Sequence, residues 1–352
     1  MKLWFWDSEA LPQTSAVFSR SSFVVVLVRR SPRTKDEDAY DERIGVLIKG
    51  RIKNRFKKVA VLKGGPSAER DVSLRSGAAV ANGLREAGYD VVEIDVTDFS
   101  LNLPQGIEAV FIALHGAFGE DGRLQRLLDA QGVPYTGSGA DASEAAFDKR
   151  LSKKVFVEAG IPTAGYELVR KGGRRRMPLP VVVKPPCQGS SIGVHMVFNE
   201  NEWEAAVSDA LAYGDEALVE EYIEGREVTV GIVGDKVLPA VEIVTPGDWY
   251  SYKSKYNSGG ATKYLVPAPL SEETARGCAD AAWKTFKALG CRGFGRVDIR
   301  LSTDGEINVL EMNTIPGFTE TSLLPKAAKQ AGMSFPALCA GIVEMAVADN
   351  EE

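Results

Sequence analysis

The sequence predicts an α/β fold, with α+β character, in more than one domain. Three observations carry that expectation. The chain has 352 residues, 44% of them hydrophobic, which is more than a single core usually holds. From Lys57 onward, short β-branched apolar runs alternate with amphipathic helical stretches. Further on, VDIRLSTDGEINVLEMNT reads as a strand pair. One phase of it is apolar, and the other carries Asp298, Glu311 and Asn313.

The bulk numbers exclude some classes. A net charge of −6 with 26% charged residues argues against a nucleic-acid binder that relies on a basic surface. No apolar run approaches the ~20 residues of a membrane span. The cysteines (Cys187, Cys278, Cys291, Cys339) form no C-x-x-C, and the histidines are only His115 and His195. A Cys/His zinc site is therefore not expected, and scattered thiols suit a reducing cytoplasm.

Residues 1–54 differ from the rest. They hold one short apolar run, FVVVLV, then Arg29-Arg30, the mixed-charge SPRTKDEDAYDER and a basic patch. Asp7 and the shortness of the apolar run argue against a signal peptide. The expectation is a poorly ordered extension. A later start would need a codon other than Met, since no Met lies between Met1 and Met177.

The elements follow in order. KKVAVLKGG reads as a strand ending in glycines, and SAERDVSLRSGAAVANGLREAG as a helix closed by Gly88. VVEIDV and AVFIAL are strands, and RLQRLLDAQG is a helix. Residues 55–148 thus read as a small domain with a largely parallel sheet. DKRLSKKVFVEAG opens a central domain, 149–226, with the strand PLPVVVKP, the loop CQGSSIG, the strand VHMVF, the helix NEWEAAVSDAL and the strand ALVEEYI. A third domain, 227–352, holds EVTVGIVG and KVLPAVEIV as strands. The polar stretch 245–264 comes next, too long for an ordinary connection and read as a lid. The helix SEETARGCADAAWKTFKALG, the carboxylate hairpin and a last helix, FPALCAGIVEMAVA, complete the chain.

In the hairpin, Asp304-Gly305 is a two-residue turn signal. It makes Thr303 face Glu306 and Asp298 face Glu311, with Asn313 two along on the same side. Paired carboxylates repel unless a cation joins them, and these oxygens suit Mg²⁺ beside phosphate. The plainer alternative is a solvated sheet face. Lys184 ends an apolar strand before a Gly/Ser loop, where its ammonium and open backbone N–H groups could reach a phosphate. The loop could equally be a surface connection, and its spacing is neither Walker A nor G-x-G-x-x-G.

Taken together, KVAVLKGGPSAERDVSLRSG, ALHGAFGEDG, PYTGSG, KPPCQGSSIGV, YKSKY, GFGRVDIR and LEMNTIPGFT closely resemble the D-alanine–D-alanine ligase family of the ATP-grasp superfamily. The resemblance runs from about Lys57 to the end of the chain. It implies an ATP-grasp fold and a cytoplasmic enzyme of peptidoglycan precursor synthesis. The reaction implied joins two D-alanines through an acyl phosphate, at the expense of ATP. Two Mg²⁺ are implied, with Mn²⁺ able to substitute, as is a homodimer built through the first domain. A regulator that kept the fold without the chemistry would be expected to have lost Arg296, a metal ligand or a phosphate lysine, and none is missing.

The resemblance also implies roles residue by residue. Lys149 and Lys184 hold ATP phosphates, with Ser190, Ser191 and Lys255 beside them. Glu220, Tyr222, Ile223 and Glu227 form the adenine and ribose stretch, and Glu221 stands where some relatives have lysine. Asp298, Glu311 and Asn313 are metal ligands, and Arg296 stabilises the transferring phosphoryl group and the oxyanion. Glu69 receives the ammonium of the first D-alanine, with Ser73 and His115 near it. Gly317, Ser322 and Leu323 form the pocket for the second. Ser190 and Tyr256 tie the lid to Glu69. Read alone, Ser73 could bond its own backbone, His115 could be structural, and Tyr256 could anchor the lid only. The lid carries no histidine, unlike D-Ala-D-lactate-forming relatives, so D-alanine is the expected second substrate; D-serine stays open. Pro186-Cys187-Gln188 departs from many relatives and bears on loop stiffness.

Overall fold

The run KVAVLKG forms β1 (Lys58–Gly64), the middle strand of a three-stranded sheet. It pairs in parallel with β2 (Asp90–Val96) and with β3 (Ala109–Ile112). Val59, Ala60, Val61 and Leu62 are all buried, so an uninterrupted apolar run sits where both sheet faces are covered. Helix α1 (Arg70–Glu86) makes the crossover from β1 to β2. The computed structural model describes residues 54–245 and 262–349, all in one compact unit. The extension foreseen over residues 1–54 lies outside the described residues except for Asn54.

Two helices follow, α2 (Arg123–Ala130) and α3 (Ala140–Phe147). The second was not foreseen. ADASEAAF packs through the small residues Ala140, Ala142, Ser143 and Ala146, which give no strong apolar period. Helix α4 (Lys149–Glu158) starts at once, its N-terminus capped by Asp148, whose side chain accepts from the Arg150 N–H at 2.9 Å.

A second sheet is antiparallel. It has β4 (Tyr166–Arg170), β5 (Val181–Lys184), β6 (His195–Val197) and, after α5 (Glu200–Ala210), β7 (Glu216–Glu221). The order is β4-β7-β5-β6, with Val181, Val183 and Val197 packed with Trp203 and Val207 of α5.

The third sheet contains β8 (Gly225–Val233), β9 (Lys236–Val237), β10 (Val241–Val244), β11 (Lys263–Leu265), β12 (Phe294–Ser302) and β13 (Ile307–Asn313). Its path is β11-β10-β8-β12-β13, with β9 on β8. The single strand expected over KVLPAVEIV is broken in two around Pro239, which has no N–H to give a ladder. The end of the expected lid is strand, not loop: Lys263 pairs with Val244 and Tyr264 with Ile243. Residues 246–261 lie outside the described residues. Helix α6 (Glu272–Ala288) covers one face of this sheet, burying Cys278, Ala282 and Phe286 against Val297 and Ile299.

The chain then returns to the first sheet. Helices α7 (Leu323–Gln330), unforeseen, and α8 (Phe335–Glu344) place Leu324, Leu338, Ile342 and Val343 in one core with Val61, Val80, Phe111, Phe294 and Phe318. This shared core ties α1, through Val80 and Leu84, to Phe294 at the start of β12 and Phe318 just past β13.

The hairpin reaches the expected pairing by another route. Asp298 does face Glu311, but Leu301 pairs with Ile307, so Ser302–Glu306 form a longer turn than the two-residue one foreseen. Thr303 therefore does not face Glu306 across a two-residue turn. A bulge at Leu310 then takes up the extra residue and restores the register.

Candidate active site

The β12–β13 pair forms one wall of the site. Arg296 stands opposite Asn313 and Asp298 opposite Glu311, all on one face. Arg296 donates to both oxygens of Asp298, Nε to Oδ1 at 2.7 Å and Nη2 to Oδ2 at 2.6 Å. From β8, Thr229 Oγ1 also donates to Asp298 Oδ1 at 2.6 Å. Glu311 Oε2 lies 3.0 Å from Lys149 Nζ, at the start of α4. Burial would lower the Lys149 pKa, but Glu311 outweighs it and raises it.

Asn313 Oδ1 is buried and has no hydrogen-bond partner among the described residues. An orphaned acceptor beside two carboxylates is what a hard cation would satisfy. Among the described residues, no group of three or more His, Cys, Asp or Glu gathers to hold a metal. A cation here would thus lean on Asn313 and on oxygens a ligand brings, which suits Mg²⁺ held with phosphates. The residues present fit it.

Lys184, at the end of β5, makes an ion pair with Glu220 of β7. The other oxygen of Glu220 meets Lys153 Nζ at 2.6 Å. Burial pushes the Glu220 carboxyl up, yet Lys184 and Lys153 outweigh it and hold it at about 2. The loop after β5 carries Ser190 and Ser191 with φ of 51° and 60°, a left-handed conformation that non-glycine residues seldom adopt. Lys149 Nζ donates to the Gln188 main-chain carbonyl at 2.9 Å, so that loop is tied to α4. Lys149, Lys184, Ser191, Glu220, Tyr222, Ile223, Glu227, Asp298 and Glu311 line a cavity of about 140 Å³. Arg300 lines it too, donating to the Ile223 carbonyl at 3.0 Å and lying 3.7 Å from Glu227.

A second cavity, of about 400 Å³, adjoins it and shares Lys149 and Glu311. Glu69, at the N-cap of α1, is buried there and accepts a hydrogen bond from Ser190 Oγ. Its carboxylate is wedged between glycines: a Cβ on Gly116 would come 2.6 Å from Oε2, and one on Gly189 2.9 Å. His115 donates from Nδ1 to the Ile315 carbonyl at 2.9 Å, which leaves Nε2 to accept from Ser76 Oγ at 2.9 Å. Ser76 Oγ in turn accepts the Phe318 N–H at 3.1 Å. Arg296, Asn313, Gly317, Ser322 and Leu323 complete the wall.

Most of the expected residues thus meet around two joined cavities. Ser73 does not line them: it is fully buried and donates to the Ala113 carbonyl at 2.6 Å. Ser76 and Arg75 line the larger cavity instead. Tyr256 and Lys255 lie outside the described residues. The sequence reading missed Ser76, Arg75, Thr229, Arg300 and Lys153. The spacing from Glu69 through Val72 to Ser76 follows a helical face and could have found Ser76. Thr229 could not be found that way, because its place depends on the register of β8 against β12.

Comparison with known proteins places two family descriptions on the chain. "D-ala D-ala ligase C-terminus" matches residues 154–344, and "D-ala D-ala ligase N-terminus" matches residues 98–138. The D-alanine–D-alanine ligase of Methylacidiphilum infernorum is 47% identical over 287 residues, 82% of this chain and 94% of that one. That of Syntrophotalea carbinolica is 48% identical over 287 residues, 80% of this chain and 93% of that one. Among solved structures, the ATP complex of the D-alanine–D-alanine ligase from Bacillus anthracis matches with a TM-score of 0.71 and 31% identity, covering 82% of this chain and 97% of that one. The VanG D-Ala:D-Ser ligase of Enterococcus faecalis matches with a TM-score of 0.73 and 30% identity, covering 83% and 99%.

Proposed function

The chain belongs to the D-alanine–D-alanine ligase family, and on that premise we propose how its two cavities carry out the ligation. The smaller cavity takes ATP and the larger takes two D-alanines. The observation that carries this reading is the shared wall: Lys149 and Glu311 line both cavities, so a phosphate from one meets a carboxylate held in the other.

In this reading Glu69 receives the ammonium of the first D-alanine, held in place by Ser190. That leaves the carboxylate of the same molecule toward Arg296. A carboxylate is a poor electrophile until one oxygen becomes a phosphate leaving group, and that transfer needs positioning and charge neutralisation. Lys149 and Lys184 neutralise the phosphates, and Arg296 faces the group in transit and the oxyanion that follows. Asp298, Glu311 and Asn313 would hold Mg²⁺, which supplies charge neutralisation on the phosphate oxygens when bound. The amine of the second D-alanine, seated by Gly317, Ser322 and Leu323, attacks the acyl phosphate. Dipeptide, ADP and phosphate leave.

The same reading divides the chain at 55–148, 149–226 and 227–352, with a lid in the stretch before β11 that keeps water from the acyl phosphate. No helix among the described residues is long and apolar enough to cross a membrane. A cytoplasmic homodimer is part of the proposal on family grounds, and light scattering would read its mass.

The test is product analysis. Purified protein with ATP, Mg²⁺ and D-alanine, alone and with equal D-serine or D-lactate, should give D-Ala-D-Ala as the dominant product. A depsipeptide or D-Ala-D-Ser would keep the chemistry and overturn the choice of second substrate. No product from any pair would sink the reading.

A further inference from the structure

Lys153 is fully buried in the middle of α4, yet it lines neither cavity. Its Nζ meets three oxygens: Glu220 Oε1 at 2.6 Å, Thr163 Oγ1 at 2.6 Å and the Ala164 carbonyl at 3.2 Å. Thr163 gives its own proton to the Val309 carbonyl at 2.6 Å, so it offers Lys153 a lone pair. Two hydrogen-bond acceptors and one carboxylate ion-pair partner surround the nitrogen, a setting that suits an ammonium. Among the described residues, no neighbour offers a proton to an amine lone pair. Burial pulls the pKa of Lys153 down, with Glu220 opposing it and Lys184 adding to it, so its charge leans on Glu220. The coordination is that of a charged lysine.

Glu220 is 2% exposed and is flanked by two ammonium groups, Lys153 on one oxygen and Lys184 on the other. One carboxylate needs one of them. Lys153 is fixed by Thr163 and Ala164, which are bound to the chain leading into β4. Lys184 ends a strand and lines the nucleotide cavity. Of the two, Lys184 can turn away.

We propose that Lys153 is a positioning residue: by neutralising Glu220 it lets Lys184 leave that carboxylate for a nucleotide phosphate. Without Lys153, Lys184 becomes the sole counter-ion of a buried carboxylate. Moving it to the phosphate would then strand that charge, which is strongly unfavourable. Lys153 acts on nucleotide binding through two other side chains and touches no substrate. The inference rests on the reading of Lys184 as a phosphate ligand.

Calorimetric titration of the full chain with Mg²⁺·ATP tests it, with Lys153→Met, Glu220→Gln, the double variant and Lys184→Met in parallel. Lys153→Met should weaken nucleotide binding by roughly tenfold or more, with the KM for D-alanine unmoved. In the Glu220→Gln background, Lys153→Met should cost less than roughly threefold, because a neutral amide at that position no longer captures Lys184. Equal losses in both backgrounds would make Lys153 merely structural and overturn the inference. Should Lys153→Met fail to fold, Lys153→Gln keeps a donor for Thr163 and Ala164 but no charge. It should show the same loss, and unchanged affinity would overturn the inference. If Lys184→Met weakens binding while Lys153→Met does not, this inference fails alone. If Lys184→Met leaves affinity intact, the reading of Lys184 fails and takes the inference with it.

Discussion

Lys149 Nζ lies 3.0 Å from Glu311 Oε2, on the wall common to the two cavities. One residue begins α4 and the other sits on β13, so the pair joins the phosphate side of the site to the hairpin. Each partner has a role that the other supports. The lysine holds the carboxylate at the wall where a cation would sit, and the carboxylate keeps the lysine charged.

Glu311→Gln keeps the shape and removes the charge. Turnover should fall by at least ~10³-fold, while Mg²⁺·ATP still binds, more weakly, through Lys184 and the nucleotide cavity. Steady-state kinetics and calorimetry read the two effects separately. Normal turnover would remove Glu311 from the ligand set.

Asn313 offers a sharper contrast between folding and function. Its Oδ1 is buried without a partner among the described residues, so these give the ligand-free fold no bond to it. Asn313→Leu, similar in volume, should leave the melting temperature without ligand unchanged or higher. The Mg²⁺ concentration needed for half-maximal rate should rise roughly tenfold. A lower melting temperature together with unaltered Mg²⁺ dependence would mean that the oxygen serves the fold instead.

The hairpin shows how legible the site was, and where legibility stopped. Asp298 opposite Glu311 was readable from the alternation and the Asp304-Gly305 turn, yet the turn is longer and the bulge at Leu310 compensates. Two departures cancelled, and neither could be seen locally, because bulges answer to the packing of neighbouring strands. Lys153 was legible in principle. Lys149, Ser152, Lys153 and Phe156 occupy one buried helical face. Two lysines on that face look like solvent-exposed charges until Glu220, far along the chain, is brought against them. Ser73 errs the other way: its hydroxyl was free to meet the substrate in sequence and is taken by Ala113 in space. Helix α3 escaped because its buried face is made of small residues, which give weak periodicity, and α7 because it is short and carries Pro325 in its first turn.

Ser190 clasps Glu69 across the larger cavity. Ser190→Ala removes the clasp while Glu69 remains. The KM for the first D-alanine should rise by roughly tenfold. Phosphate release should also exceed dipeptide formation, since a loosened loop admits water to the acyl phosphate. Equal amounts of phosphate and dipeptide, with KM unchanged, would show that the clasp does not guard the intermediate.

Glu220 should leave an acid signature. Its carboxyl is held at about 2, below the ordinary 4.5, by Lys184 and Lys153 against the opposing effect of burial. A depressed carboxylate stabilises the fold fully above its unfolded value and loses that contribution as pH falls toward the folded one. Urea midpoints of the wild type and Glu220→Gln, compared from about pH 5 to about pH 3, should therefore converge as pH drops, with the wild type losing more. A difference that stays flat over that range would show that Glu220 is not held ionised in the fold.

In the proposed reaction, a phosphate from the smaller cavity passes to the carboxylate of the D-alanine that Glu69 holds in the larger one. Isotope tracing tests it most directly. With both carboxylate oxygens of D-alanine labelled with ¹⁸O, each dipeptide formed should release one inorganic phosphate carrying one ¹⁸O. Phosphate free of label, with dipeptide still formed, would contradict an acyl phosphate and the roles assigned to Arg296, Lys149 and Glu311.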